Sequence, residues 1–344
     1  MISQLDPVGL DELLATAELQ TRVDRKYVLP LPEAMALLPR LDPRTRVLEI
    51  DGGRAFRYES VYFDTPDLAS FRLAAHRRRR RFKIRTRLYV ESALCWLEVK
   101  TEGGRGGTVK NRLPYQPGDH ATVTPGWSFV SDVLGSFGTG ALGTPGTGAL
   151  DERGLSLAPT LVTRYRRCTL LNPAGDSRAT IDTDLSWESP DGRGLRLPRV
   201  AVVETKTGSG ACQVDRLLWA HGHRPVSISK YATGLAALRP DLPAAPWRRT
   251  LRRHFGDATR HGPDRPGTDR RGTDAHDANR WGTDAHDANR WGTDPRDAER
   301  HDADPRDRDS RGMNRRGTDS RGTDSRGADS RGTDSRGADP HEAR

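Results

Sequence analysis

The sequence predicts an α+β fold: an antiparallel eight-stranded β-barrel with its charged residues pointing inward as a tunnel, surrounding helices, and a disordered tail. Three observations predict it. Charged residues recur at period two in segments that otherwise read as strands, among them Lys83-Ile84-Arg85-Thr86-Arg87, Glu98-Val99-Lys100, Lys110-Asn111-Arg112 and Glu204-Thr205-Lys206. Such alternation sends the charges to one sheet face and the apolar residues to the other. Eight or more strand-like segments are joined mostly by hairpin-length turns, the pattern of an antiparallel barrel. Finally, residues 1–240 hold 34 Lys and Arg against 26 Asp and Glu, while the remainder holds 22 against 21. The excess positive charge therefore belongs to the folded part. A closed ring of inward cations would make a tunnel for a polyanion.

The elements follow in order. Leu10 to Leu19 has helical apolar spacing, and Val23 to Leu29 reads as a strand. A short helix is expected over Pro32 to Leu41. Thr45–Ile50 and Phe56–Phe63 read as a strand pair turning at Asp51-Gly52-Gly53. Asp67 to Ala75 suits a helix capped near Thr65, with Asp64 and Asp67 as turn and cap residues. Strands follow at 80–90, 94–101 and 107–115, the last two joined through Gly103–Gly107. A helix is expected over Trp127–Leu134, then a Gly/Thr-rich loop over Gly135–Gly148. Strands resume at Leu161–Leu170, Arg178–Leu185 and Arg199–Thr207, and helices at Val214–His221 and Ser229–Leu238. This assigns residues 1–240 to the tunnel domain.

Residues 241–344 are of another kind. The ten residues Gly272–Trp281 recur as Gly282–Trp291, and RGTDS/RGADS units run from Arg316 to Asp339. Mixed Asp, Arg, Gly and Ser cannot bury enough apolar surface to offset chain entropy, so this tail is expected to be disordered and to meet partners of unknown kind. An RNA-binding role is disfavoured because its aspartates nearly cancel its arginines. Cys95, Cys168 and Cys212 have no metal-ligand spacing, which suits a reducing compartment. No apolar run is long enough to span a bilayer and no signal-peptide pattern opens the chain. A cytoplasmic protein without membrane insertion is the expectation.

The ordered series of motifs resembles the VTC catalytic domain, the polyphosphate polymerase module of the triphosphate tunnel metalloenzyme superfamily, over roughly residues 15–240. Arg22-Val23-Asp24-Arg25-Lys26-Tyr27 resembles its first tunnel strand and Val61-Tyr62-Phe63-Asp64-Thr65 its next signature. Arg85, Arg87 and Tyr89 then match its basic strand, and Leu97-Glu98-Val99-Lys100 with Lys110-Asn111-Arg112 the following pair. Tyr165-Arg166-Arg167, Ile181-Asp182, Glu204-Thr205-Lys206 and Ser229-Lys230-Tyr231 complete it. The resemblance implies Arg85, Arg87, Lys100, Arg167 and Lys230 as the catalytic cations. It implies Lys26, Lys110, Arg112, Lys206 and Ser229 as further phosphate contacts, with Glu204 and Glu98 as ligands of Mn²⁺ or Mg²⁺. Asp24 is a weaker ligand candidate, being shorter than the glutamate usual there. Family members in eukaryotic vacuoles also carry a phosphate-sensing domain and membrane helices, which this sequence does not show, so product export is not implied.

The residue types suit that chemistry. Arginines clamp phosphate oxygens with paired hydrogen bonds and lysines add point charges, both stronger away from bulk water. Hard divalent cations take carboxylate and phosphate oxygens. The expected reaction is transfer of the ATP γ-phosphate to a growing polyphosphate chain, with ATP and polyphosphate as partners and no specific nucleic acid. Alternatives are a triphosphatase with water as acceptor, a non-catalytic polyphosphate binder, and a nucleic-acid binder suggested by Arg77–Arg81. For Glu98, Glu204, Asp182 and Asp184, plain ion pairing with neighbouring cations is the competing role. No Cys/His or Ser/His/Asp constellation stands out in sequence.

Overall fold

A computed structural model of the protein describes residues 2–16, 23–102, 108–136, 156–172, 177–208 and 210–262. The chain opens with β1 (Asp6–Val8), α1 (Leu10–Thr16), β2 (Val23–Pro30) and α2 (Leu31–Leu37). β3 (Arg46–Leu48), β4 (Phe56–Asp64), α3 (Ala69–Ala75), β5 (Phe82–Tyr89), β6 (Leu94–Glu102) and β7 (Thr108–Tyr115) follow. Then come α4 (Trp127–Ser136), β8 (Ala158–Leu171), β9 (Ser177–Glu188), β10 (Gly194–Leu197) and β11 (Val200–Thr207). The described fold closes with α5 (Gln213–Ala220), α6 (Lys230–Leu238), α7 (Arg248–His254) and β12 (Thr259–His261).

Eight strands form a continuous antiparallel wall, paired in the order β7-β6-β5-β4-β8-β9-β11-β2. The α+β class and the antiparallel wall are as the alternation predicts. The ring is not closed by a ladder: among the described residues β2 and β7 do not pair. Part of the seam is filled by an irregular segment instead, where Val226 N–H donates to Lys26 C=O at 2.8 Å. That contact satisfies a backbone group on the free edge of β2, as sheet edges require.

The sheet is apolar outside and polar inside over most of its length. Outward residues such as Tyr27, Leu29, Ile181 and Val203 pack under α2 and α5. Val61, Phe63, Ile84, Leu97 and Val99 pack under α4 on the opposite side. The helices therefore cover the faces that the alternation leaves apolar, and burial of that surface drives their packing on the wall. At one end the rule is broken. Val28, Tyr62, Tyr165 and Val202 turn apolar surface inward and meet Tyr231, Leu235 and Ala236 of α6. Gly234 lets that helix approach closely, because a Cβ there would collide with the Trp187 indole.

Other differences have local causes. α2 gives way to a 3-10 turn over Leu38–Arg40, where Pro39 has no N–H for an α-helical bond. The turn at Asp51-Gly52 forms, with φ of 48° and 74°, and Ile50 bridges Gly53. Yet β3 pairs with β1 and β8 rather than with β4. β4 has no edge to offer, being bonded to β5 and β8 over Tyr58–Phe63. The fold also continues past residue 240, since Trp247 and Phe255 are core residues and β12 pairs with β10. Most of the Gly135–Gly148 loop and the repeats beyond 262 lie outside the described residues.

Candidate functional site

The inner face of the wall encloses a cavity of about 630 Å³. All twelve residues singled out in the sequence line it: Lys26, Arg85, Arg87, Glu98, Lys100, Lys110, Arg112, Arg167, Glu204, Lys206, Ser229 and Lys230. Register explains why. Arg85 lies opposite Glu98, which lies opposite Arg112, and Lys100 lies opposite Lys110. Across the wall, Glu204 is paired with Lys26 on one side and Thr180 on the other. Alternation in β2, β5, β6, β7, β8 and β11 thus delivers ten of the twelve to one space, and Ser229 and Lys230 enter from the start of α6. Among the described residues thirteen Lys and Arg line the cavity against four Asp and Glu, a strong bias toward anionic ligands.

The carboxylates hold the cations in place. Glu98, only 4 % exposed, accepts from Arg85 Nε at 2.6 Å, and Arg85 also donates to the Tyr62 hydroxyl at 3.1 Å. Burial opposes the charge on Glu98, but Arg85, Arg87, Lys100 and Lys110 outweigh it and hold the carboxyl below its usual range. Glu204 accepts from Lys206 at 2.6 Å and lies 3.6 Å from Lys26. Its carboxyl is likewise held well down, burial being outweighed by Lys26, Lys206 and Arg167. Lys206 also reaches Asp24 at 2.9 Å. Asp182 is fully buried and takes Arg167 through two hydrogen bonds, at 2.6 and 2.8 Å, together with an ion pair from Lys230.

Aromatic rings floor the arginines. Arg167 stands over Tyr58 and Tyr165 at 5.1 and 5.2 Å, and Arg87 over Tyr58 at 5.6 Å. Such stacking fixes a guanidinium plane without using its N–H groups. Arg87 Nε is buried with no hydrogen-bond partner among the described residues. Lys100 makes no ion pair among them either, although it feels Glu98 and Glu204. Burial and the Arg85 charge pull its ammonium well below the ordinary lysine value. Ser229 caps α6, its oxygen accepting from Ala232 N–H at 3.2 Å, which leaves its own proton free to donate.

A divalent cation fits the donor set only with help. No group of three or more His, Cys, Asp or Glu among the described residues could hold a metal unaided. Mg²⁺ and Mn²⁺ commonly take one or two carboxylates and complete their shell with water and phosphate. Glu204, with Asp24 sharing Lys206, and Glu98 supply oxygens of that kind.

Several participants were not singled out by sequence. Lys83, which the alternating run contains without a role being given to it, and Arg178 line the cavity, and continuing the alternation two residues from Thr180 would have found Arg178. Asp182 was expected to form ion pairs and does so. Asp64 acts as a cap, accepting from Ser70 and Phe71 N–H at 2.8 and 2.9 Å. A cluster that sequence spacing hides lies on the outer face, where Cys95 Sγ sits 3.8 Å from His120 Nδ1 and His120 Nε2 lies 3.2 Å from Glu59. Burial pushes the Cys95 thiol up to about 11, so it is no nucleophile at neutral pH and the group serves as a clasp between strands. All three cysteines are buried and unbridged. No helix among the described residues is long and apolar enough to cross a membrane.

Comparison with protein families finds a match to the VTC domain over residues 21–138 and 147–239. Comparison with curated proteins finds no significant match. Among solved structures, a candidate adenylate cyclase from Bacillus halodurans is 13% identical, with a TM-score of 0.38, covering 61% of this chain and 94% of its own. A candidate adenylyl cyclase from Hippeastrum, described as having a dominant triphosphatase activity, is 20% identical, with a TM-score of 0.39 and coverage of 62% and 94%. A protein from Pyrococcus horikoshii is 11% identical, with a TM-score of 0.36 and coverage of 64% and 98%. At this distance they say nothing about chemistry.

Proposed function

The chain belongs to the VTC domain family, and from that premise we propose that it is a metal-dependent polyphosphate polymerase. It moves the γ-phosphoryl group of ATP onto the end of a growing polyphosphate chain inside the basic cavity. Family membership supports the broader class, an enzyme of the triphosphate tunnel kind. The observation that supports the finer reading is the excess of cations lining one cavity, thirteen against four among the described residues. A nucleotide triphosphate and a polyphosphate end together carry far more negative charge at close spacing than a single phosphate does, and need correspondingly more cations.

In the proposed reaction an oxygen of the terminal phosphate of the chain bonds to the γ-phosphorus. The bond from that phosphorus to the β–γ bridging oxygen breaks, and ADP leaves with the electron pair. Arg85, Arg87 and Arg167 are preset by Glu98, Tyr58 and Asp182, so they stabilise the transferring group without reorganising. Lys100 and Lys230 neutralise neighbouring oxygens, while Lys26, Lys110, Arg112, Lys206 and Ser229 hold the flanking phosphates in line. A phosphate nucleophile is already ionised, so no general base is required. Glu204, with Glu98, would hold Mn²⁺ or Mg²⁺, which supplies further charge neutralisation at the nucleotide phosphates. Buried, unbridged cysteines support a reducing, cytoplasmic setting.

The test is incubation of the full chain with ATP and Mn²⁺ or Mg²⁺, resolving ADP, free phosphate and polyphosphate, beside Glu204→Gln. A ladder of long polyphosphate that disappears in the variant supports the polymerase. Free phosphate without a ladder makes it a triphosphatase. Neither product, with tripolyphosphate still bound, leaves a binding protein.

A further inference from the structure

One end of the cavity carries a second set of cations, facing outward, that the proposed reaction does not use. On one side of this rim, Arg77, Arg78, Arg79 and Arg80 follow α3 and are exposed. Arg77 and Arg81 reach the cavity lining, and Arg81 pairs with Glu102 at 2.5 Å. On the other side, α7 exposes Arg248, Arg249, Arg252 and Arg253 while burying Thr250, whose hydroxyl donates to Ser227 C=O at 3.1 Å. Trp247, next to α7, lines the same cavity and packs against Phe71 of α3, ring centroids 5.8 Å apart. The two arginine clusters therefore share one rim.

Neither cluster is neutralised locally. Among the described residues, Arg78, Arg79, Arg80 and the four arginines of α7 form no ion pair. Arg248 and Arg252, like Arg249 and Arg253, are like charges at i,i+4, a spacing that weakens a helix unless an anion lies across it. At the opposite end, near Leu171 of β8, Leu10, Leu13 and Leu14 of α1 line the cavity together with Arg178, Leu14 being 55% exposed. Among the described residues, the two arginine clusters thus carry the cation lining onto the surface at the α3–α7 end. α7 also lies outside the residues that match the family.

We propose that this rim is the surface on which a long inorganic polyphosphate chain lies where it emerges from the cavity. The proposal rests on the polymerase reading for the identity of the chain, and it gives the channel a direction. Growth at the buried cations pushes older phosphates across Arg77–Arg81 and α7, each contact releasing counterions from the chain.

The test measures equilibrium binding by the full chain, without ATP, of tripolyphosphate and of long-chain polyphosphate over a range of salt. It compares the native protein with R248Q/R249Q/R252Q/R253Q. Tripolyphosphate affinity is expected to stay within about twofold, while long-chain affinity falls about tenfold and the slope of log affinity against log salt flattens by about 3. Equal long-chain binding by both proteins overturns the proposal. So does an equal loss of both ligands, which would mean a damaged cavity. Single-stranded RNA or anionic phospholipid vesicles binding the rim more tightly than polyphosphate, with that binding lost in the variant, would reassign the surface and likewise overturn it. A protein that makes no polyphosphate ladder but shows the expected binding difference sinks the polymerase reading and leaves the rim standing.

Discussion

Asp182 holds Arg167 by two hydrogen bonds, at 2.6 and 2.8 Å, and its second oxygen also takes Lys230. One carboxylate with no solvent exposure thereby fixes two cations that arrive from different parts of the chain, β8 and the first residue of α6. Asp182→Asn would leave both cations without their counter-charge. The expected cost is on the order of 3 kcal/mol in urea unfolding, since breaking a buried pair strands its partner. Burial disfavours the Asp182 charge, but Arg167 and Lys230 outweigh it and hold the carboxyl below its ordinary value. A depressed carboxylate contributes stability above the unfolded value of about 3.9 and loses it as pH falls through the lower folded value. The difference between native protein and variant should therefore be constant from about pH 7 to 5 and shrink only in stronger acid.

Glu204→Gln should abolish metal-stimulated turnover while leaving the fold intact. A loss at least as large as the roughly 10- to 100-fold typical of outer-shell partners is expected. The half-saturating Mn²⁺ concentration should rise as well. Unchanged metal dependence would assign Glu204 only to holding Lys206 and Lys26.

Binding of tripolyphosphate should draw in a proton at pH values above the lowered Lys100 value. Burial and Arg85 lower the Lys100 ammonium in the free protein, and an arriving polyanion reverses that balance. Below the lowered value Lys100 is already charged and nothing is taken up; above the value in the complex it is neutral in both states. Uptake of up to about one proton is expected between the two. Calorimetry in buffers of different ionisation heat reads it directly, and Lys100→Met should remove it.

Gly234→Ala tests the seat of α6. A Cβ at this position meets the Trp187 indole, a buried ring with no room to retreat. Overpacking of this kind costs about 1–3 kcal/mol. Because Trp187 Nε1 donates to Lys230 C=O at 2.7 Å, the shift should reach Lys230 and lower turnover along with stability. A gain in stability, as Gly→Ala gives in an unconstrained helix, would mean that the contact relaxes freely.

The cation set was legible because strand alternation is a strict geometric rule: once Arg85 and Arg87 point inward, Lys83 does too. Ten of the twelve residues singled out lie on the one cavity for that reason, and Ser229 and Lys230 join them from the start of α6. What sequence could not give were relations between distant segments. Nothing around Asp182 announces that Lys230 will reach it, and nothing in Pro225–Ser229 announces that Val226 will bond the edge of β2. The eight-strand count was readable, but whether the last ladder closes depends on a segment without period. The last helix, α7, was missed for a related reason. α7 is basic on all sides but one, and only its Thr250 and the neighbouring Trp247 and Phe255 tie it to the core.

Because α2, α4 and α5 rest on the outer side of the strands, folding and recognition are, away from α6, written on opposite faces of the wall. Tyr27 and Leu29 belong to the core; Lys26, one step away, belongs to the ligand. A change of letter on the inner face leaves the apolar contacts of the outer face untouched. The bore can therefore be re-lettered, lysine for arginine or cation for neutral, without rebuilding what surrounds it. Substrate preference in such an architecture can drift far while the scaffold stands still, and shared shape among its members is a poor guide to shared chemistry.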